Sequence, residues 1–212
     1  MFPLVFFDVD TQRDFIEETG ALAVPMAAAL RDALRILTET ARALQIPILA
    51  SCDAHAKDDP EFKDFPPHCI VGTRGAEKIP ETWVRGSYLV PASGRRRPWI
   101  DEKNWRQRGG EVVLETASLD PFANPAAAML LKSMEPRRVA VYGVATEYGV
   151  RYAVLNCINL GIAEVYLVRD AVKGLTEEGE HQALVEMADR GARYISTHDL
   201  CVQASGWMKE RR

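Results

Sequence analysis

Apolar residues occur along this chain in two patterns, and each pattern predicts a different kind of element. Short, continuous apolar runs rich in β-branched and aromatic residues are typical of parallel strands covered on both faces. These runs predict five strands and a weaker sixth, at 3–9, 46–52, 111–115, 137–144, 163–169 and 193–197. Longer segments of helical character lie between them and predict helices at 25–44, 124–134, 147–160 and 176–190. This alternation predicts an α/β fold with a doubly wound, six-stranded, mostly parallel sheet and helices on both faces.

Two kinds of residue support the predicted helix ends. Pro25 stands at a first-turn position, where its missing N–H costs nothing. Gly161 and Gly191 follow predicted helices at positions where left-handed C-terminal caps belong.

The length of the chain limits the number of domains. A chain of 212 residues favours one domain, 1–212, with a single sizeable core. Residues 54–110 form a less regular segment within it, rich in Pro, Gly and charged residues. An insertion of that length in an α/β domain is usually functional or interfacial.

Composition and charge exclude several classes of partner. Hydrophobic residues make up 47% and charged residues 26%, the balance of a soluble globular protein. The net charge of -4 provides no basic surface for nucleic acid. No apolar stretch reaches the roughly 18 residues of a membrane-spanning helix, so no membrane partner is expected. The only basic cluster, 95–97, is interpreted as a solvated loop, with a clamp for an anionic substrate as the alternative.

The cysteines and the start of the chain bear on the compartment. Cys52, Cys69, Cys157 and Cys201 form no Cys-x-x-Cys pair. The opening MFPLVFFDVD has no basic lead-in and no small-residue cleavage site, so it is interpreted as a first strand and not as a signal peptide. Both features favour a reduced, cytoplasmic protein over a disulfide framework.

Candidate chemistry is concentrated where the predicted strands end. Asp10 follows the first strand, and Asp53 and His55 follow the second. The fourth strand leads to Gly149 at the start of a predicted helix. Open α/β sheets bind their ligands at the carboxyl ends of their strands, so these positions are the candidate site.

Two histidines and an aspartate have the chemistry of a metal site. Asp53 and His55 are two residues apart, and His68 follows in FPPHCIVG, where two prolines restrict the backbone. Two imidazoles and a carboxylate suit zinc, manganese or iron, and Glu61 between them is a candidate fourth ligand. The alternative is that both histidines are ordinary loop residues bonded to backbone.

Six segments, taken in order along the chain, resemble one family. They are VDTQRDF (9–15), TGALAVP (19–25), CDAHAKDDPEF (52–62), FPPHCIVGTRGAE (65–77), GVATEYGVRYAVLN (143–156) and VRDAV (168–172). This ordered set is similar to the nicotinamidase and isochorismatase type of cysteine hydrolase, and it covers nearly the whole chain.

The resemblance implies an architecture and a metal. It implies a single isochorismatase-like domain with a six-stranded parallel sheet, assembled as a homodimer or homotetramer. It implies a divalent metal beside a small-molecule ligand, held at Asp53, His55 and His68 with Glu61 as a further candidate. It implies no organic cofactor. A nicotinamide-like ligand is favoured over isochorismate, because the metal-ligand pattern belongs to the amidase branch.

The resemblance also implies a catalytic Asp, Lys and Cys, and this chain departs from two of them. The Asp falls on Asp10, which would act as general base. The Cys of the motif Thr-(Asp/Glu)-Tyr-Cys-Val falls on Gly149, which has no side chain. The Lys falls on Thr116, and the alternative is that Lys103 reaches the site from the 54–110 segment.

Other potential nucleophiles are weaker candidates. Cys157 is interpreted as a core residue, and Cys52 and Cys69 as buried residues near the metal-ligand segment. Thr146 and Ser118 need an activating base.

Part of a binding site remains in the sequence. The resemblance implies a cis peptide at Val144–Ala145 and an oxyanion hole from the backbone N–H groups of Ala145 and Gly149. Four aromatic residues are candidate pocket residues, although a core or interface role is favoured for each: Trp83, Trp99, Trp105 and Tyr148.

Three hypotheses follow. The favoured one is a member of this hydrolase family that binds a small amide or carbonyl compound beside a metal and has lost cysteine-based catalysis. The second is an active metal-dependent amidase that cleaves a C–N bond with metal-bound water. In the third, the resemblance reflects ancestry only and the Asp and His residues are structural.

Overall fold

The sheet of this protein is fully parallel within the residues that the computed structural model describes, 2–92 and 110–210. Seven strands follow one another along the described chain: β1 (Val5–Val9), β2 (Ile48–Asp53), β3 (Tyr88–Val90), β4 (Glu111–Thr116), β5 (Arg138–Val144), β6 (Glu164–Lys173) and β7 (Arg193–Ile195). Their order across the sheet is β3-β4-β2-β1-β5-β6-β7, and every neighbouring pair is parallel. The predicted α/β class is confirmed.

The strand count differs from the prediction by one. The additional strand is β3, which lies at an edge of the sheet and inside the segment 54–110. β3 has only three residues, and Tyr88 and Leu89 are exposed, so its apolar run is too short to predict a buried strand. The weak sixth prediction corresponds to β7, and β6 continues to Lys173, four residues beyond its predicted end.

Helices cover both faces of the sheet. In chain order they are α1 (Arg13–Ile16), α2 (Arg31–Leu44), α3 (Ala126–Met134), α4 (Arg151–Asn159), α5 (Glu177–Asp189) and α6 (Thr197–Trp207). The short α1 and the C-terminal α6 were not predicted. Gly161 follows α4 and Gly191 follows α5. Both have positive φ angles, as expected for C-terminal caps.

Two predicted helices begin later than expected. The segment 25–44 starts with a 3₁₀ turn, Ala27–Leu30, because Met26 is left-handed (φ 61°) and interrupts the α-helix. The segment 147–160 starts with a wide turn, Thr146–Val150, in which Tyr148 has non-helical dihedral angles.

The apolar core is divided by the sheet into two clusters. Phe7 and Val9 of β1 pack into the cluster beneath α3, α4 and α5, whereas Leu4 and Phe6 pack beneath α2 and α6. Because both faces are covered, consecutive strand residues are buried, which explains the continuous apolar runs.

The strand order determines where the chain can bind a ligand. β1 lies in the middle, with β2, β4 and β3 on one side and β5, β6 and β7 on the other. In such sheets the crevice forms at the carboxyl ends of the two strands where the winding reverses, here β1 and β5. No helix in the described ranges is long and apolar enough to cross a bilayer.

Candidate metal and ligand-binding site

A cavity lies at the carboxyl ends of β1, β2 and β5, with about 400 Å³ of empty space including its open mouth. Three acids and a histidine line it: Asp10, Asp53, Glu61 and His68. The remaining lining residues are mostly apolar or aromatic: Phe15, Leu22, Val24, Phe65, Leu119, Val144, Ala145, Tyr148, Gly149 and Leu175. The crevice is thus an apolar pocket with a few convergent polar groups, the usual composition of a small-molecule site.

The structure brings the predicted metal ligands together. Asp53, His55 and His68 are buried, and each offers a ligand atom within 4.8 Å of the others. Oδ2 of Asp53 is 3.5 Å from Nε2 of His55 and 3.5 Å from Nε2 of His68. One carboxylate and two imidazoles suit a divalent transition metal.

Backbone pairing holds these ligands in place. The side chain of Gln12 accepts a hydrogen bond from the N–H of Asp53 (2.7 Å) and donates one to its carbonyl (2.8 Å). The N–H of His55 donates to the carbonyl of Cys69 (3.1 Å), and the N–H of Val71 donates to the carbonyl of His55 (3.0 Å). This short parallel bridge aligns the His68 segment with the end of β2.

The two imidazoles are in an acidic environment. Burial lowers the pKa of His55, but the carboxylates of Asp53 and Asp59 outweigh burial and raise it to about 9. Burial likewise lowers the pKa of His68, while Asp53 and the carbonyl of Pro66 produce a net increase. Without a metal, the ring of His55 therefore tends to carry a proton at neutral pH.

The ring nitrogens of His55 fit a metal better than a hydrogen-bond network. Both are buried and have no hydrogen-bond partner of suitable geometry, although Oδ2 of Asp59 lies 3.2 Å from Nδ1. In His68, by contrast, Nδ1 lies 2.8 Å from the carbonyl of Pro66, which leaves Nε2 for a ligand. An orphaned buried imidazole beside a carboxylate is what a metal would satisfy.

Glu61 lies at the margin of this group. Its Oε1 is 4.0 Å from Nε2 of His68, and it lies outside the compact set of three ligands. It sits in the 3₁₀ turn Pro60–Lys63, where the carboxylate of Asp59 accepts its N–H (3.0 Å). Burial and then the charge of Asp53 raise the pKa of Glu61.

Asp10 presents one free oxygen to the cavity. Its backbone is left-handed (φ 49°), and its Oδ1 accepts a hydrogen bond from Oγ of Ser51 (2.7 Å). Its Oδ2 has no hydrogen-bond partner among the described residues. Burial, followed by the charge of Asp53, raises the pKa of this carboxyl well above its usual value.

Gly149 faces Asp10. A Cβ at this position would point at Asp10, 2.7 Å from its Oδ2, and would lie 2.9 Å from Cγ1 of Val9. The φ of Gly149 is outside the left-handed region, so the backbone does not require glycine there. Gly143 differs, because its φ is +120° and a Cβ would overlap the carbonyl oxygen of Val9.

The turn that carries Gly149 is hydrogen-bonded to the residues just before α5. The carboxylate of Glu147 accepts hydrogen bonds from the N–H groups of Leu175 (3.1 Å) and Thr176 (3.0 Å), just before α5. The peptide Val144–Ala145 is cis, as the resemblance implies, and Ala145 and Gly149 both line the cavity.

The other predicted catalytic position does not line the cavity. Thr116 ends β4 beside Asp53 of β2 and is buried, with Oγ1 3.5 Å from the carbonyl of Ser118. Leu119, three residues further, is the lining residue from this segment. Lys103 and the basic cluster 95–97 lie outside the described residues.

Asp8 lies near Asp10 in sequence but does not join the site. Its Oδ2 accepts a hydrogen bond from Nζ of Lys78 (2.8 Å), and the same ammonium group contacts Glu111. All three are buried in an ionic cluster on the face covered by α2, a role that the sequence did not indicate.

The other candidate nucleophiles described by the structure lie outside the main cavity. Cys52, Cys69 and Cys157 are buried, as expected, and Cys52 lines a different cavity. Burial raises the pKa of Cys52, Cys69 and Cys157, so none is an activated thiol. Thr146 is buried and does not line the main cavity.

Of the four aromatic residues considered for the pocket, the structure places Tyr148 in the cavity wall and Trp83 at the surface. Tyr148 lines the cavity, with its ring 5.7 Å from that of Phe65. Trp83 is 59% exposed and lies outside the core, so of the core or interface role favoured for it only the interface role stays a prediction. Trp99 and Trp105 lie outside the described residues. Phe15 and Phe65 were missed, although each lies within a motif that the resemblance quotes.

The fold and the site together define an α/β domain with a candidate metal centre at its topological switch point. Residues 4–199 match the model of the isochorismatase domain family. The chain therefore belongs to the isochorismatase family.

Curated relatives and a solved structure agree with this membership. The chain is 29% identical over 201 residues to the nicotinamidase/pyrazinamidase of Mycobacterium tuberculosis, covering 84% of this chain and 91% of that protein. It is 25% identical over 218 aligned positions to the nicotinamidase of Escherichia coli, covering 93% and 96%. The structure of the pyrazinamidase of Pyrococcus horikoshii in complex with zinc superimposes with a TM-score of 0.73 at 29% identity, covering 92% of this chain and 99% of that one.

Proposed function

We propose that this protein binds a small amide or carbonyl compound beside a divalent metal, and that it does not perform cysteine-based amide hydrolysis. The single observation that carries the proposal is Gly149. It lies where a side chain would point at the free oxygen of Asp10, and it offers no nucleophile. Removing the nucleophile of a hydrolase typically costs about 10⁴–10⁶ in rate.

The position of Thr116 supports the same conclusion. A catalytic lysine would supply a positive charge next to the thiol and the aspartate, and threonine supplies none. No Lys or Arg in 2–92 or 110–210 lines the cavity. A thiolate would therefore lack the cationic neighbour that normally lowers its pKa.

A divalent metal is part of the proposal. Asp53, His55 and His68 would hold it, with Glu61 close enough to contribute through a change of rotamer. A zinc-bound relative supports this assignment. Bound there, such a cation polarises a carbonyl oxygen or acidifies a coordinated water.

The chain's own groups would complete the ligand site. Phe15, Phe65 and Tyr148 provide apolar surface for a small ring. The backbone N–H groups of Ala145 and Gly149 are candidates to bind a carbonyl oxygen, and glycine retains that donor. Asp10 would accept a hydrogen bond from an N–H group of the ligand through Oδ2.

The test is ammonia release from nicotinamide and a panel of small amides, measured with added zinc, manganese or iron and with chelator. We expect calorimetry to detect saturable amide binding without turnover under any of these conditions. Turnover that persists in chelator would overturn the proposal.

A second candidate, a metal-dependent amidase, is favoured by the complete Asp-His-His ligand set beside Asp10. Its signature is turnover that chelator abolishes and added metal restores. Asp10→Asn should then reduce turnover, whereas Asp32→Asn on the exposed face of α2 should not.

A further inference from the structure

One carboxylate oxygen of Asp10, Oδ2, is available to a ligand. The residue is only 7% exposed and lines the cavity, and its Oδ2 has no hydrogen-bond partner among the described residues and lies beside Gly149. A ligand group that donates a hydrogen bond can therefore bind this oxygen, and a charged donor binds it more strongly than a neutral one.

The charges around the cavity point to the sign of that group. Asp10, Asp53 and Glu61 all line the cavity, and no Lys or Arg of the described chain lines it with them. The negative charges of these three carboxylates repel one another, and a singly charged cation next to Asp10 would offset that repulsion and favour its ionised form.

The rest of the lining also suits a cation with an apolar body. Phe15, Phe65 and Tyr148 place aromatic rings in the wall, and rings attract ammonium groups to their faces. Leu22, Leu119 and Leu175 add aliphatic surface for the body of the ligand.

We propose that the natural ligand of this cavity is a small amide or carbonyl compound that carries a primary amine, bound as its ammonium ion against Oδ2 of Asp10 with an aromatic or aliphatic body in the apolar wall. This inference rests on the proposed function, namely that the cavity takes a small ligand. It adds that the ligand carries a cation, which a neutral amide does not.

Calorimetry with four matched probes tests the inference. Benzylamine, benzyl alcohol, benzamide and benzoate share one ring and differ in the group offered to Asp10. Each is titrated into the protein with and without bound zinc at neutral pH. Because a hydrogen bond between charged groups exceeds a neutral one, benzylamine should bind about tenfold more tightly than benzyl alcohol.

Two variants test the role of Asp10. Asp10→Asn preserves the shape and tolerates the left-handed backbone, so it should fold and lose the preference for benzylamine. Asp32→Asn removes the same charge from an exposed site and should leave the preference unchanged. Gly149→Ala should also weaken benzylamine binding, because its Cβ would lie 2.7 Å from Oδ2 and would crowd the oxygen that the ammonium ion contacts.

The outcomes separate the two proposals. Benzamide binding without any preference for benzylamine would overturn the amine proposal and leave the proposed function standing. Benzylamine binding that survives Asp10→Asn would mean that another group binds the amine, which also overturns it. Failure of all four probes to bind would overturn the amine proposal, and the amide panel described above would decide the proposed function separately.

Discussion

The side of the cavity formed by β2 and the side formed by β5 differ in the chemistry of their side chains. On the β2 side, Asp53, His55 and His68 converge within 4.8 Å, and both nitrogens of His55 lack hydrogen-bond partners. On the β5 side, the position that faces Asp10 is Gly149. One side is equipped to hold a metal, and the other offers backbone donors and one carboxylate.

This difference is not a consequence of the backbone. The turn Thr146–Val150 creates a position whose side chain would point at Asp10. The geometry that would direct a nucleophile is therefore present, while the side chain is absent. A scaffold can thus retain the geometry of a reaction centre and its neighbouring metal ligands independently of the group that would react.

The largest expected effect is a loss of zinc affinity when a ligand on the β2 side is removed. His55→Ala or His68→Ala should reduce zinc affinity by at least about 100-fold, because each removes one of three protein ligands. Equilibrium dialysis followed by elemental analysis measures it. The exposed His181→Ala is the control. Unchanged zinc binding in both ligand variants would mean that the triad is structural.

The next prediction restores a side chain on the β5 side. In Gly149→Cys combined with Thr116→Lys, the new thiol should be alkylated by iodoacetamide at a lower pH than in Gly149→Cys alone. The added ammonium would stabilise the thiolate, which Asp10 otherwise disfavours.

Mass spectrometry would locate the alkylated residue and separate it from the four native cysteines, of which only Cys201 is not buried. Identical pH profiles for the single and double variants would contradict the placement of the lysine at 116.

The two glycines of the β5 region give a matched comparison of stability. Gly143→Ala should lower the free energy of unfolding by roughly 2 kcal/mol or more, since its φ is +120° and a Cβ overlaps Val9. Gly149→Ala should cost less, because its Cβ meets the movable end of Asp10 and a side-chain methyl of Val9. Chemical denaturation measures both, and equal losses would mean that the turn itself requires glycine at 149.

The smallest expected effect is a pH dependence on the β2 side. The pKa of His55 in the metal-free fold is raised to about 9 from its ordinary 6.5, so its protonated form stabilises the fold. That contribution is complete below about pH 6.5 and is lost as the pH rises through 9. The free energy of unfolding of metal-free protein should therefore fall across this window.

His55→Gln should flatten that pH profile. Zinc affinity should increase over the same window, because the metal competes with protons for the ring nitrogens. A metal-free profile that rises with pH would contradict the sign of this prediction.

Prediction from sequence succeeded where the signal was local. The continuous apolar runs identified β1, β2, β4 and β5, because parallel strands covered on both faces must be apolar throughout. The prediction missed β3, which is three residues long and largely exposed, and α1, which is a single turn. Short elements at the edge of a fold owe their existence to neighbours and not to their own pattern.

The candidate site was predictable to a similar degree. Asp10, Asp53, His55, His68 and Gly149 were all identified from their places after strands or within motifs. The lining by Phe15, Leu119 and Leu175 was not, because isolated apolar residues in loops look alike until the chain is folded. Likewise, nothing in the sequence distinguished Asp8, which pairs with Lys78, from Asp10, which faces the cavity.

The sequence by itself determined the α/β class, the family and the identity of the groups available for chemistry, because periodicity and motif order are properties of the chain. Only the tertiary structure decided that Asp53, His55 and His68 converge, and that Oδ2 of Asp10 has no hydrogen-bond partner among the described residues. It also decided that a side chain at position 149 would point at that oxygen. These relations join strands that are far apart in sequence, and their distances are set by packing and by the parallel pairing of β1 with β5 and with β2 at the centre of the sheet.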